Sequence, residues 1–311
     1  MDKALLARVE KQAWFHRYPR AVPLALLAIG LLATGLFINN FERLDHAARH
    51  ARLEREATAL VKELQYKSSE NIVYLNAAAS LFAVADNVSE AEFQAFIADM
   101  STDWEARGVV GMGWARWMKA SEAAAFAAAQ RAFHGAGHYS VRPLPADPAQ
   151  DMAVISLLAP VTAPNRFALG YDMYSEATRR AAMDAAIRSG QAAVSGRVQL
   201  MQDSGAAPRA GFLVYVPVFQ RLAVANGQAP GAPGSRSARG ALKGFVYSPL
   251  RAEDFLGAAL DRVSLHARRV RIVDGPPGAG GDLLAATTTQ GEPGDSVTRV
   301  VAESSAESAS Q

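Results

Sequence analysis

The chain has 311 residues, 50% of them hydrophobic and 20% charged, enough for one large or two small domains with real cores. Lys and Arg total 32 against 30 Asp and Glu, a formal charge of +2, and residues 1–20 alone hold five bases (Lys3, Arg8, Lys11, Arg17, Arg20) against two acids (Asp2, Glu10). The rest of the chain therefore has no basic excess to neutralise phosphates, which excludes a nucleic-acid binder. The absence of cysteine excludes a disulfide scaffold, thiolate zinc sites and cysteine catalysis.

Ala21–Ile38 (AVPLALLAIGLLATGLFI) contains no charge and one hydroxyl. About 20 residues at 1.5 Å per residue cross a hydrocarbon core, and Trp14, Phe15 and Tyr18 extend the stretch as an interfacial belt. The bases before it place residues 1–20 in the cytoplasm and the rest outside, with the chain in the inner membrane and its body in the periplasm. A cleaved signal peptide is the rival reading. The stretch exceeds the usual apolar core of about 7–15 residues, and Asn39-Asn40-Phe41-Glu42 is a poor cleavage site, so an uncleaved single-pass anchor is preferred.

Phe41–Ala85 lacks Gly and Pro. Leu53, Ala57, Leu60 and Leu64 form a short coiled-coil seam, and Leu64, Ser68, Ile72, Leu75, Ala79 and Phe82 continue the stripe. The run is read as a stalk helix over 39–86, about 65 Å long, in preference to two helices broken near Lys67. Ser89 and Glu92 make a capping box for a helix over 90–104. The segment 108–117 reads as a strand, and Ser121–His134 as a helix with Ser121 a candidate cap. Tyr139–Pro143, Ala153–Val161 and Phe167–Asp172 read as strands. Ser175–Ser189 is a helix capped by Ser175 and ended by Gly190. Val194–Met201, Gly211–Phe219, Leu242–Ser248 and Val270–Val273 are strands and Glu253–Leu260 a short helix, while residues 226–240 are a Gly/Pro/Ser-rich loop. Composition from Gly275 onward is low in complexity.

Catalytic chemistry is not evident. The six histidines include His46 and His50, four apart on the stalk, and His134 and His138 around a Gly-rich turn; all read as surface residues. No HExxH, GxSxG or phosphate-loop motif is present, so neither enzymatic activity nor a metal or other cofactor is expected. Asp99, Asp103 and Glu105 fall in one solvated quadrant. Gly280-Gly281-Asp282 begins like a GGDEF signature, but Leu283-Leu284 breaks it, and a Gly-rich turn before a short strand explains it better.

A series of segments then falls in a recognisable order. These are Ala79-Ser80-Leu81-Phe82, Glu92-Phe93-Gln94-Ala95-Phe96, Gly111-Met112-Gly113-Trp114-Ala115, Ala159-Pro160, Ala168-Leu169-Gly170-Tyr171-Asp172-Met173, Arg179-Arg180-Ala181-Ala182-Met183, Ser189-Gly190, Val198-Gln199-Leu200 and Gly211–Val218. Together they resemble the CHASE domain family, the extracellular sensor of many histidine kinases and diguanylate cyclases. The likeness covers residues 70–220, and 240–256 fits its continuation.

The resemblance implies an α+β fold: a transmembrane helix, a long dimerising stalk helix, then two PAS-like subdomains with antiparallel sheets. The corresponding divisions are a stub at 1–20, the transmembrane helix at 21–38, the stalk at 39–86, a membrane-distal sensor at 87–220, a partial membrane-proximal part at 221–284 and a tail at 285–311. It also implies a small-molecule pocket, lined here by Met112, Trp114, Ser156, Leu158, Tyr171 and Val194. Ser156 and Val194 stand where the cytokinin-binding members carry Asp and Thr, so cytokinin is not the expected ligand. Asp172 is expected to cap the element after it. The implied function is a membrane-anchored sensor relaying ligand binding through a homodimeric stalk to a separate signalling partner. A non-signalling binding module and a truncated fragment of a kinase or cyclase receptor are the alternatives.

Overall fold

The computed structural model describes residues 21–85, 87–100, 104, 108–134, 139–201, 209–220, 240–263, 269–274 and 282–288. The stub 1–20, Asp103, Glu105, His138, residues 226–239 of the Gly/Pro-rich loop and the tail beyond 288 lie outside the described residues. The chain divides into two compact units, one reaching Arg55 and one beginning at Glu56. Helix α1 (Ala21–Val84) is one element of 64 residues, without a break at Lys67.

In the N-terminal unit, Pro23–Phe41 is a window of 19 residues with mean hydropathy 1.9. Its large apolar side chains, among them Leu24, Leu27, Leu31 and Phe37, are exposed. The Thr34 hydroxyl donates to the Gly30 carbonyl at 2.8 Å, so this hydroxyl is satisfied within the helix.

In the larger unit, the buried stripe of α1 is Leu60, Leu64, Leu75, Ala78 and Phe82. The coiled-coil seam is corrected here: Leu60 and Leu64 pack into the core of their own chain. A heptad spacing puts apolar side chains on one face of a helix but does not say what covers that face.

Helix α2 (Glu90–Met100) starts at the expected capping box. The Ser89 N–H donates to the Glu92 carboxylate at 2.8 Å, and the Glu92 N–H donates back to the Ser89 hydroxyl at 3.2 Å. The Ser89 N–H and hydroxyl, both donating to the Glu92 carboxylate, hold its pKa below the ordinary value. The helix ends at Met100, short of the expected 104.

The main sheet contains β1 (Met112–Lys119), β2 (Asp151–Ala159), β3 (Ala193–Val194), β4 (Val198–Gln199), β5 (Ala210–Phe219) and β6 (Leu242–Arg251). Its order is β2-β1-β6-β5-β3, with β4 also on β5, and the pairings are antiparallel. This is the mixed, PAS-like α+β class the sequence led us to expect. The last long strand, β6, lies between β1 and β5. A division at 220 therefore runs through one sheet.

Several local expectations change. Tyr139–Pro143 and Phe167–Asp172 are not strands; their ladder pairing is limited to the isolated bridges Arg142–Tyr171 and Val154–Asp172. Pro143 has no N–H to extend a ladder, and a series of turns occupies the second segment. Val194–Met201 forms two strands of two residues each. Helix α3 (Ala123–His134) follows a 3-10 turn rather than a Ser121 cap, and the Lys119 N–H donates to the Glu122 carboxylate at 2.8 Å.

Helix α4 (Ala177–Ser189) is capped by Glu176, not Ser175, and ends at Gly190 with φ +69° as expected. Glu176 reaches two free N–H groups, those of Thr178 and Arg179. Asp172 caps the 3-10 turn Met173–Ser175 through the Tyr174 N–H. After helix α5 (Ala252–Leu260), strands β7 (Arg269–Asp274) and β8 (Asp282–Thr288) form a separate two-stranded sheet. Strand β8 begins at Asp282 and continues past the expected end of the second subdomain at 284, and the expected turn at Gly280-Gly281 lies outside the described residues.

Candidate functional site

The two faces of the main sheet are built differently. One face packs against α1, α2 and α5, where the Phe82 and Trp114 rings stack with centroids 4.2 Å apart and an interplanar angle of 8°. Met112, Val214, Val216 and Val246 join them there. The opposite face carries Ala115, Ile155, Leu158, Leu213, Tyr215, Phe245 and Tyr247, covered by Met173 and by Ala182, Met183 and Ala186 of α4. We call it the far face.

An irregularity in β2 distributes its residues between these faces. Trp114 pairs with Leu157 and Ala115 with Ile155, leaving Ser156 as an extra residue. Its buried hydroxyl donates to the Trp114 carbonyl at 3.2 Å. Leu158 consequently shares the far face with Ile155, while Leu157 and Ala159 turn to the helix face.

The six residues expected to line a pocket are therefore not all neighbours. Met112 and Trp114 are in the helix-side core. Leu158 and Tyr171 belong to the far-face cluster, and Ser156 fills the bulge between them and Trp114. Val194, on the two-residue β3, is 54% exposed.

On the far face a void of about 230 Å³, partly open to solvent, is bordered by Ile155, Ala168, Met173, Arg179, Leu200, Met201, Leu213, Tyr247 and Pro249. The space within it free to a water-sized molecule is about 10 Å³, about one water, far below the roughly 300–1,000 Å³ of typical small-molecule clefts. Its apolar walls carry a guanidinium and a phenol. Arg179 is 4% exposed and Tyr247 is 1% exposed. The Tyr247 hydroxyl and Arg179 Nε are buried and make no hydrogen bond among the described residues. Arg179 Nη2 donates to the Gln199 carbonyl at 2.8 Å, and its guanidinium lies over the Tyr171 ring at 5.2 Å.

Glycine at position 113 makes this arrangement possible. A β-carbon there would lie 2.5 Å from the Tyr247 phenol oxygen. The Tyr247 ring thus rests directly on the backbone of β1.

Electrostatics of the far face follow from burial. Tyr215 and Tyr247 are raised above the ordinary phenol range, chiefly by desolvation, with the Arg179 charge pulling the other way. Both phenols are neutral at physiological pH and can donate. Tyr215 donates to Met173 Sδ at 3.7 Å, a weak partner. Asp172 is buried at the end of β2, where one carboxylate oxygen accepts from the Ala153 and Tyr174 N–H groups at 2.9 and 3.0 Å. Burial nevertheless raises its pKa, outweighing those bonds and the Arg180 charge.

A second void of about 260 Å³ lies in the helix-side core, where Lys67 and Asn71 interrupt the apolar stripe of α1 beside Trp104 and Phe255. Its wall also includes Tyr74, and Asn71 Nδ2 is buried there without a hydrogen bond among the described residues, but it has no guanidinium. Among the described residues, no group of three or more His, Asp or Glu side chains could hold a metal ion.

Sequence reading overlooked Arg179 and Tyr247, although both carried a signal. Arg179 precedes Ala182, Met183 and Ala186 by three, four and seven residues, which puts it on the buried face of α4. Tyr247 alternates with Phe245 on β6, which puts both on one face of the sheet.

No curated protein sequence matches the chain. Among solved structures, the ligand-binding domain of an amino acid chemoreceptor from Pseudomonas aeruginosa, in complex with GABA, is similar at 13% identity and a TM-score of 0.41. That comparison covers 75% of this chain and 74% of the other. The CHASE domain family matches residues 86–285, which include the whole main sheet and the lining of the far-face void. With more than half of its length matched in this way, the chain belongs to the CHASE domain family.

Proposed function

We propose that the chain is a membrane-anchored sensor that binds a small molecule in the far-face void and relays binding through α1. The observation that carries this reading is the buried pair, Arg179 and Tyr247, on the wall of an apolar void, where Arg179 Nε and the Tyr247 hydroxyl make no hydrogen bond among the described residues. Ser156, Leu158 and Tyr171 lie close behind this wall and act as its support. Met112 and Trp114 then serve the relay: a ligand pressing on Tyr247 acts on β1 at Gly113, next to Trp114, whose ring rests on Phe82 of α1. Such a relay requires the ligand to bind one arrangement of α1 more tightly than another.

Membrane anchoring is supported by the exposed apolar window Pro23–Phe41, and the N-terminal bases support a cytoplasmic start and a periplasmic sensor. Association of two copies is supported by a second, uncovered face of α1. Tyr66 and Val73, seven residues apart, are 58% and 64% exposed. Replacing both with Glu is expected to leave the fold intact and abolish association in sedimentation experiments. A separate signalling partner would read the change.

The direct test is a thermal-shift screen of the purified full chain against metabolites. A ligand at 100 times its Kd adds about 2.7 kcal/mol. A hit that Tyr247→Phe removes supports the reading, and silence across a broad library from folded protein overturns it. A ligand that binds without changing α1 association or accessibility would favour the non-signalling binding module instead.

A further inference from the structure

We propose that the far-face void selects small molecules bearing a carboxylate on an apolar body. This rests on the void being the ligand site. Among the described residues, Arg179 is the only charged side chain on its wall. A planar guanidinium matches a carboxylate through paired N–H donors better than any other side chain does. Here the match is unfinished. Nη2 is spent on the Gln199 carbonyl, whereas Nε is buried without a hydrogen bond.

The acid nearest to Arg179 Nε along the chain is Glu176, with Oε2 at 3.5 Å. Glu176 is already committed. Its two oxygens accept from the Thr178 and Arg179 N–H groups at 2.9 and 3.1 Å, and its side chain is 38% exposed. It neutralises Arg179 from the solvent side without filling the void. An incoming carboxylate would supply the acceptor that Glu176 only half provides.

Tyr247 adds a donor and no charge. Its hydroxyl lies on the same wall, buried and without a hydrogen-bond partner among the described residues. Ile155, Met173, Leu200 and Leu213 enclose the remaining space with apolar surface. A cation would meet Arg179 there with no carboxylate on the wall to offset it. A ligand body larger than a water enters only as these side chains give way.

The test uses the purified full chain in detergent, with acetate, butyrate and phenylacetate each compared with its amide by calorimetry and thermal shift. At least one carboxylate should bind, and bind on the order of tenfold or more tighter than its amide, the usual worth of a hydrogen bond to a charged group. Tyr247→Phe removes a hydroxyl that holds nothing in the fold, so the variant should remain folded and bind that carboxylate several-fold more weakly. Arg179→Gln, which removes the cation, should abolish the preference over the amide, and Arg179→Lys should retain part of it.

An amide that binds as tightly as its acid, in a Tyr247-dependent way, overturns the carboxylate inference and leaves the ligand site standing. Carboxylate binding untouched by Tyr247→Phe overturns the placement in this void. If no carboxylate binds while a neutral probe such as adenine does so through Tyr247, the inference fails alone. If neither class binds, the inference and the ligand-site reading fail together.

Discussion

The two faces of one sheet solve opposite problems. Toward the helices, aromatic and aliphatic side chains fill the space around the Phe82–Trp114 stack. On the far face, comparable apolar residues surround a void and include a buried cation and phenol with bonding capacity left over. Burying polar groups without partners costs free energy. The contrast teaches where stability and recognition are separated: the packing around the Phe82–Trp114 stack holds the fold, with an orphan amide only at its margin, Asn71 Nδ2, whereas the far face gives up some stability to bury a guanidinium and a phenol together.

Substitutions should sharpen that contrast. The largest effect is expected on the closed face, where Trp114→Ala should lower unfolding free energy by about 3–5 kcal/mol in urea titrations, as for other buried aromatics. Leu64→Ala should follow at about 2–5 kcal/mol. Equal loss from far-face truncations would erase the distinction.

Asp172 gives an intermediate test. Asp172→Ala leaves the Ala153 and Tyr174 N–H groups without their shared acceptor, at a cost of about 1–3 kcal/mol for each buried group left unpaired. Asp172→Asn keeps an acceptor oxygen and removes the charge. Because burial raises the folded pKa, the folded state holds this proton more tightly than the unfolded chain does. That contribution is present below the unfolded value of about 4 and is lost as pH rises through the folded pKa. The Asn variant should therefore show a flatter stability profile from acid to neutral pH, and should match or exceed the wild type at pH 7.

The smallest effect belongs to the proposed site. Tyr247→Phe should leave stability unchanged or raise it by about 1 kcal/mol, since a buried hydroxyl without a partner contributes little to folding. A clear loss would mean that the hydroxyl is structural and would weaken the comparison from its other side.

Local signals were the legible ones. The Ser89–Glu92 box and the Gly190 terminus depend on residues within a few positions of each other, and both form. Long apolar runs gave β2, β5 and β6. Choices that depend on distant partners were hidden. Leu60 and Leu64 have the same spacing whether they face a second chain or their own sheet. β6 could not be placed between β1 and β5 without knowing which strand edges remained open. The expected pocket followed strand positions, but the extra residue at Ser156 reassigns neighbouring side chains to different faces, and Met112 and Trp114 went to the closed one. Arg179 beside Arg180 looks like a solvated pair until the phase of α4 is counted.

Ser156 also has a consequence for inheritance. The extra residue works as a phase shift in the apolar code of β2, so the halves of the strand before and after it follow opposite parities. Deleting any one residue there would send Leu157, Leu158 and Ala159 each to the wrong side at once. Substitutions can drift through this strand one at a time, but a change in its length must be compensated in a single step. Descendants of this sequence should retain the residue count of the strand even where a small buried residue other than Ser stands at position 156.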